Sequence, residues 1–160
     1  MTHAPTPPET ARGYTPPSVT QFSVFLTNKV GKLFDLVEAF EGSQVSICAL
    51  SVHEASDHAV VRLITTNADL AAQTLRKDGL PFSSRDVLVV EIAPPHTLAG
   101  MCLSLLGAEL SIQFAYPLMQ SHSGHANIAL AVDDLTLAGQ ILRRKEFRLL
   151  GEGDLVRSGG

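Results

Sequence analysis

Two hydrophobic periods alternate along the chain. QFSVFL is a short β-prone apolar run, and behind it Leu33, Leu36, Val37 and Phe40 fall at i, i+3, i+4 and i+7, the buried stripe of a helix over Lys32 to Glu41. SICALSV and HAVVRLIT then read as strands flanking the polar turn HEASD, a hairpin. Asn67 or Asp69 is placed to cap a second helix running to Asp78, Gly79 ends it, and PFSSRD enters a short last strand. The same order follows again: VLVVEI, a helix over Leu98 to Leu106, SIQFAYPL, HANIALAV, a helix over Leu135 to Lys145 capped by Asp133 and Asp134, and a short strand near Phe147 to Leu150.

The second half repeats the first. Leu98, Met101, Cys102 and Leu105 reproduce the first helical stripe at an offset of 65, and Gly42, Ser46 and Ile47 match Gly107, Ser111 and Ile112 in the same register. After two extra residues near Ser123 and Gly124 the register resumes at 67, pairing His58 with His125, Leu63 with Leu130, Leu70 with Leu137, Gln73 with Gln140 and Arg76 with Arg143. Each copy has the order strand, helix, strand, strand, helix, strand. The expected fold class is therefore α+β: two ferredoxin-like βαββαβ units in tandem, with antiparallel sheets and helices on one face. Residues 1–18, rich in Pro and Thr, are expected to form a disordered tail, 19–87 and 88–156 the two units, and 157–160 a flexible tail. One unit alone exposes sheet edges and has a thin core, so the two should pack together.

Composition narrows the partners. The 160 residues are 45% hydrophobic and 18% charged, with a formal charge of -4 and no basic run longer than Arg143, Arg144, Lys145, which argues against nucleic acid. No apolar stretch approaches the roughly 20 residues of a membrane helix, and the N-terminus has no signal-peptide pattern. Cys48 and Cys102 each lie within an apolar periodic segment, as buried core residues do, which suits a reducing cytoplasm.

The loop TNKVGKL is the candidate chemistry. Backbone N–H groups at a helix N-terminus favour a carboxylate, and Gly31 lets a ligand approach the backbone closely. The βαββαβ order with N-x-x-G-x-L after the first strand resembles an ACT domain, and two such units make the chain similar to small stand-alone tandem ACT-domain proteins over about Val19 to Val156. That resemblance implies binding of a small effector, usually an amino acid, at an interface between units, and it implies neither catalysis nor a cofactor. It places the ligand against Asn28, Lys29, Val30, Gly31, Lys32 and Leu33, completed by the start of the second strand of another unit. The family pattern there is G-[IV]-N-I; this chain has QVSI and ELSI, so Ser46 and Ser111 stand at the Asn position. The second loop, APPHTL, lacks Gly and carries two prolines, leaving His96, Thr97 and Leu98 as its candidates. Asymmetric sites and a homodimer are expected.

Plainer readings stand beside these. Asn28 and Gly31 also suit an ordinary turn, Lys29 and Lys32 a solvated face, and Ser46 and Ser111 plain strand entrances. His122 and His125 in HSGH, like His53 and His58 in the matching turn, lack the further ligands of a metal site and read as surface turns. A regulatory subunit of a biosynthetic enzyme, similar to acetolactate synthase small subunits, is the nearest rival function. A small enzyme using His96 or the hairpin histidines as acid or base is the more distant one.

Overall fold

The computed structural model describes residues 15–27 and 30–155. In chain order its elements are β1 (Val19–Leu26), α1 (Lys32–Glu41), β2 (Ile47–Glu54), β3 (Ala59–Thr65), α2 (Ala68–Lys77), β4 (Phe82–Ile92), α3 (Leu98–Gly107), β5 (Ile112–Pro117), β6 (Ala126–Val132), α4 (Leu135–Arg144) and β7 (Arg148–Leu150), followed by a 3-10 turn at Glu152–Asp154. All strand pairs are antiparallel, in the order β2-β3-β1-β4-β6-β5, with β7 also on β4. The fold is α+β, two βαββαβ units with helices on one face of each sheet.

The junction between the units differs from the sequence reading. PFSSRD and VLVVEI are not separate strands: they form the single 11-residue β4, which closes the first unit and opens the second. Val19 to Val24 of β1 pair with the stretch Phe82 to Val87, while β6 and β7 pair with residues from Leu88 onward. No Gly or Pro interrupts Phe82 to Ile92, so nothing turns the chain between units.

Buried apolar side chains among the described residues gather into three clusters. Leu36, Phe40, Val61, Leu63, Ala71 and Leu75 fill the space beneath α1 and α2, and Leu88, Met101, Leu105, Leu130, Ala138 and Leu142 that beneath α3 and α4. The third cluster joins Cys48, Ala49, Ile64 and Val87 with Tyr116, Ala129, Ala131 and Leu150, so the helix-free faces of the two sheets pack on each other. Central strands are thus apolar on both faces. Along β4, Val87 and Val89 face the other sheet while Leu88 and Val90 face helices, as the two-residue strand period requires. Inside this layer the Tyr116 hydroxyl donates to Oε1 of the fully buried Gln21 at 2.5 Å, a polar tie between units.

The repeat extends to fine detail. Both second strands bulge at the same place, between Ile47 and Ala49 and between Ile112 and Phe114. Asn67 and Asp134 cap α2 and α4 by accepting from Leu70 N and Leu137 N. Asp133 does not share the capping, contrary to expectation; its carboxylate accepts from Ser111 N at 3.1 Å. The expected N-terminal tail, 1–18, overlaps the described residues at 15–18. Pro16 is buried, and a Cβ on Gly139 of α4 would lie 2.4 Å from its Cβ, so residues 15–18 lie along the second unit. The remaining tail expectations, on 1–14 and 157–160, lie outside the described residues.

Candidate functional site

Gly31 occupies the N-cap position of α1 with φ 76, and no side chain caps the helix there. An added Cβ would meet nothing within 4 Å, so Gly31 is required by its left-handed backbone and not by crowding. Val30 is 96% exposed, Lys32 is exposed and Leu33 packs partly against the first core. Asn28 and Lys29 lie outside the described residues.

Ser46 lies beyond the other end of α1. Ten helical residues span about 15 Å, so one small ligand cannot touch both the loop and Ser46 of the same unit. Ser46 is fixed by its backbone: its N–H donates to Thr66 Oγ1 at 3.0 Å and its carbonyl accepts from Thr66 N at 3.0 Å. Ser111 and Asp133 repeat this clip at 3.1 and 3.3 Å. The clip sets both serines at strand entrances, and it leaves the Ser46 hydroxyl without a hydrogen bond among the described residues.

Ser46 is one of the residues lining a cavity of about 360 Å³, with Val37, Phe40, Glu41, Ser43, Ile47, Leu50 and Met119. Seven of these come from the first unit; Met119 comes from the second, where its N–H donates to Cys48 O at 2.9 Å across the unit boundary. The walls are mixed, five apolar side chains beside Ser43, Ser46 and one carboxylate, Glu41, at the C-terminal end of α1, where the helix carbonyls also favour a cation. α1 has no basic residue in its last turn to neutralise them. Sequence reasoning missed Glu41, Ser43 and Met119. Glu41 reads as an ordinary solvated helix residue, and no local pattern links Met119 to a strand about 70 positions earlier.

The second loop is built differently. Thr97 caps α3, its Oγ1 accepting from Gly100 N at 3.0 Å, so it already satisfies a donor that an anion would need. His96 stacks on Phe147 with ring centroids 3.8 Å apart, its Nε2 donates to Glu146 O at 3.1 Å, and among the described residues no carboxylate pairs with it. Leu98 is 52% exposed. Where the first unit has its cavity, the second has an open groove lined by Ala99, Cys102, Leu103, Leu106, Leu110 and Ile112, without a polar side chain other than the thiol. Ser111 is exposed and lines neither.

The hairpin histidines stay apart from both. His58 meets Asp57 at 2.8 Å on the surface, and both ring nitrogens of His125 are buried without a partner. Among the described residues no group of three or more His, Cys, Asp or Glu could hold a metal ion, and no helix is long and apolar enough to cross a membrane.

Two tandem βαββαβ units joined through a shared strand, with a cavity bordered by both, define a paired regulatory-type fold. The chain belongs to the ACT domain pair family, whose sequence profile matches residues 17–157. Its structure is similar to that of protein BT0572 from Bacteroides thetaiotaomicron, at 24% identity and TM-score 0.75 over 86% of this chain and 94% of that one. It also shares its fold with the regulatory subunit of aspartate kinase from Thermus thermophilus in its ligand-free form, at 8% identity and TM-score 0.55 over 81% of this chain and 93% of that one. A search of curated proteins found no match.

Proposed function

We propose that the chain is a non-catalytic regulatory protein that binds an amino acid with an apolar side chain in the cavity between α1, β2 and Met119. The observation that carries this reading is the mixed origin of that cavity: a ligand there touches the first unit on most sides and the second through Met119. Val37, Phe40, Ile47, Leu50 and Met119 suit an apolar side chain, Glu41 an ammonium, and the Ser46 hydroxyl a further hydrogen bond. The N-terminus of α1, from Val30 to Leu33, is a carboxylate partner that reaches this ligand only from another copy, since in its own unit it lies about 15 Å away, and Asn28 and Lys29 join this proposed contact by sequence alone. Occupancy regulates because the two units are held differently with and without a ligand between them; equal affinity for both arrangements would switch nothing. A homodimer in a reducing cytoplasm belongs to the same reading.

A thermal-shift screen against the standard amino acids tests it, since a ligand that binds only the folded state raises its apparent stability. A selective rise with apolar amino acids, reduced in Glu41→Gln and Ser46→Ala, is expected. A flat profile, or a rise untouched by both substitutions, overturns the site. The likeness in fold to an aspartate kinase regulatory subunit favours a second reading, a regulatory subunit whose site is completed by a catalytic chain. Retention of a large enzyme chain by the tagged protein, together with a flat profile for the chain alone, selects it.

A further inference from the structure

The repeat supplies its own control for the surface of α3. At the offset of 65, Glu38 of α1 corresponds to Leu103 and Glu41 to Leu106, so two carboxylates on one helix become leucines at the same fold positions of the other. Leu103 is 67% exposed and Leu106 69%, with Leu98 at 52% and Cys102 also exposed. From Ile92 to Ala108 there is no Asp, Glu, Lys or Arg. Met101 and Leu105 already fill the core side of α3, so the helix is apolar all round, the pattern of a helix covered on both faces. The unit's own fold does not demand this, because α1 makes the same packing with Lys32, Asp35, Glu38 and Glu41 outside, around the one exposed Phe34.

We propose that α3 is the surface through which two copies of this chain associate, α3 against α3 about a two-fold axis passing near Cys102. Charge selects the occupant. α1 carries Lys32, Asp35, Glu38 and Glu41, α2 carries Asp69, Arg76 and Lys77, and α4 carries Arg143 and Arg144, so docking any of these on α3 would bury charge against leucine. α3 against its own copy buries none, and the groove extends along Leu110 and Ile112. The tail sequences offer little apolar surface for the purpose. Residues 1–14, MTHAPTPPETARGY, offer only Met1 and Tyr14 as large apolar side chains, and 156–160 only Val156. An isologous contact also meets the requirement that one patch be complementary to itself. This inference rests on the homodimer of the proposed function and names its face; ligand binding in the cavity is read separately by thermal shift, so the two can fail apart.

The test uses the full chain and light scattering over a dilution series. Wild type is expected to be a dimer, and the double substitution L103E/L106E, which restores the outer face of α1, a monomer with unchanged far-UV circular dichroism and melting temperature no lower than that of the wild-type chain at high dilution. A second readout uses a short bismaleimide under reducing conditions: it should join two chains through Cys102, leave the buried Cys48 unmodified, and fail in Cys102→Ser. A wild-type chain that stays monomeric at every concentration overturns the proposal, as does a folded double variant that dimerises like wild type. A dimer that is not joined through Cys102 overturns the two-fold arrangement, and a monomer that co-elutes with a different protein assigns the face to that partner.

Discussion

Glu109 and Glu146 hold backbone that Gly79 holds elsewhere in the same chain. Their φ values are 59 and 67, against 67 at Gly79, and all three stand just past a helix. Each closes a helix in the same way: Leu80, Leu110 and Phe147 donate to Leu75, Leu105 and Leu142, and the residues before them to Arg76, Leu106 and Arg143. Left-handed backbone costs an L-residue with a Cβ about 1 kcal/mol that glycine avoids. Glu109→Gly and Glu146→Gly should each therefore stabilise the protein by about 1 kcal/mol, read as a higher urea midpoint at unchanged slope. Tyr116→Phe should do the opposite. It strands Oε1 of buried Gln21, at a cost of about 1–3 kcal/mol in the same titration. Gly79 was legible as a helix stop because glycine signals that conformation. The two glutamates were not, since nothing about Glu announces a positive φ.

Helix α4 shows how an element acquires a partner that its periodicity does not reveal. Gly139 sits on its buried face against Pro16, and an added Cβ would come within 2.4 Å of the Pro16 ring. Alanine has the better helix propensity, yet at this contact overpacking dominates, because the Pro16 segment and α4 would have to separate. Gly139→Ala should lower stability by about 1–3 kcal/mol, and a chain truncated to begin at Ser18 should lose that penalty. Equal penalties in the full and truncated chains would remove Pro16 from the explanation. The helices themselves were legible from Leu33, Leu36, Val37 and Phe40 and their repeats, because a stripe at helical spacing is a local property. Strand β4 was split in the sequence reading because its polar half, Phe82 to Asp86, resembles an ending and its apolar half a beginning.

Across the whole molecule, the segment after β7 straps the second unit to the first. Glu152 Oε2 accepts from Ala68 N at 3.1 Å, at the positive end of α2, and Leu155 is buried between the sheets. Glu152→Ala should cost about 1 kcal/mol, less at high salt. The same layer makes stability depend on alkaline pH. Burial, and then the charge of Glu152, push the Cys48 thiol from its ordinary 9.0 up to about 11. Between those values the folded state keeps a proton that the unfolded chain has released, so this contribution is complete below pH 9 and lost as pH rises toward 11, by about 1.4 kcal/mol per unit. Burial also raises the Tyr116 phenol, against the opposing charge of Arg62, and adds to the loss at higher pH. Denaturant titrations from pH 8 to 11 should show this decline, and Cys48→Ala should flatten it.

Sequence alone determined the repeat, the order of its elements and the helix and strand periods, because each depends on residues within one turn or one hairpin of each other. It also singled out Gly31 and Ser46 as candidate ligand contacts, beside the plainer readings of a turn residue and a strand entrance. Only the tertiary structure decided that the helix-free faces of the sheets meet, that β4 serves both units, and that Ser46 shares a cavity with Glu41 and Met119 while the Gly31 loop lies at the far end of α1. Those outcomes depend on which apolar surfaces find each other after the units form, and such contacts join residues whose separation along the chain leaves no local trace.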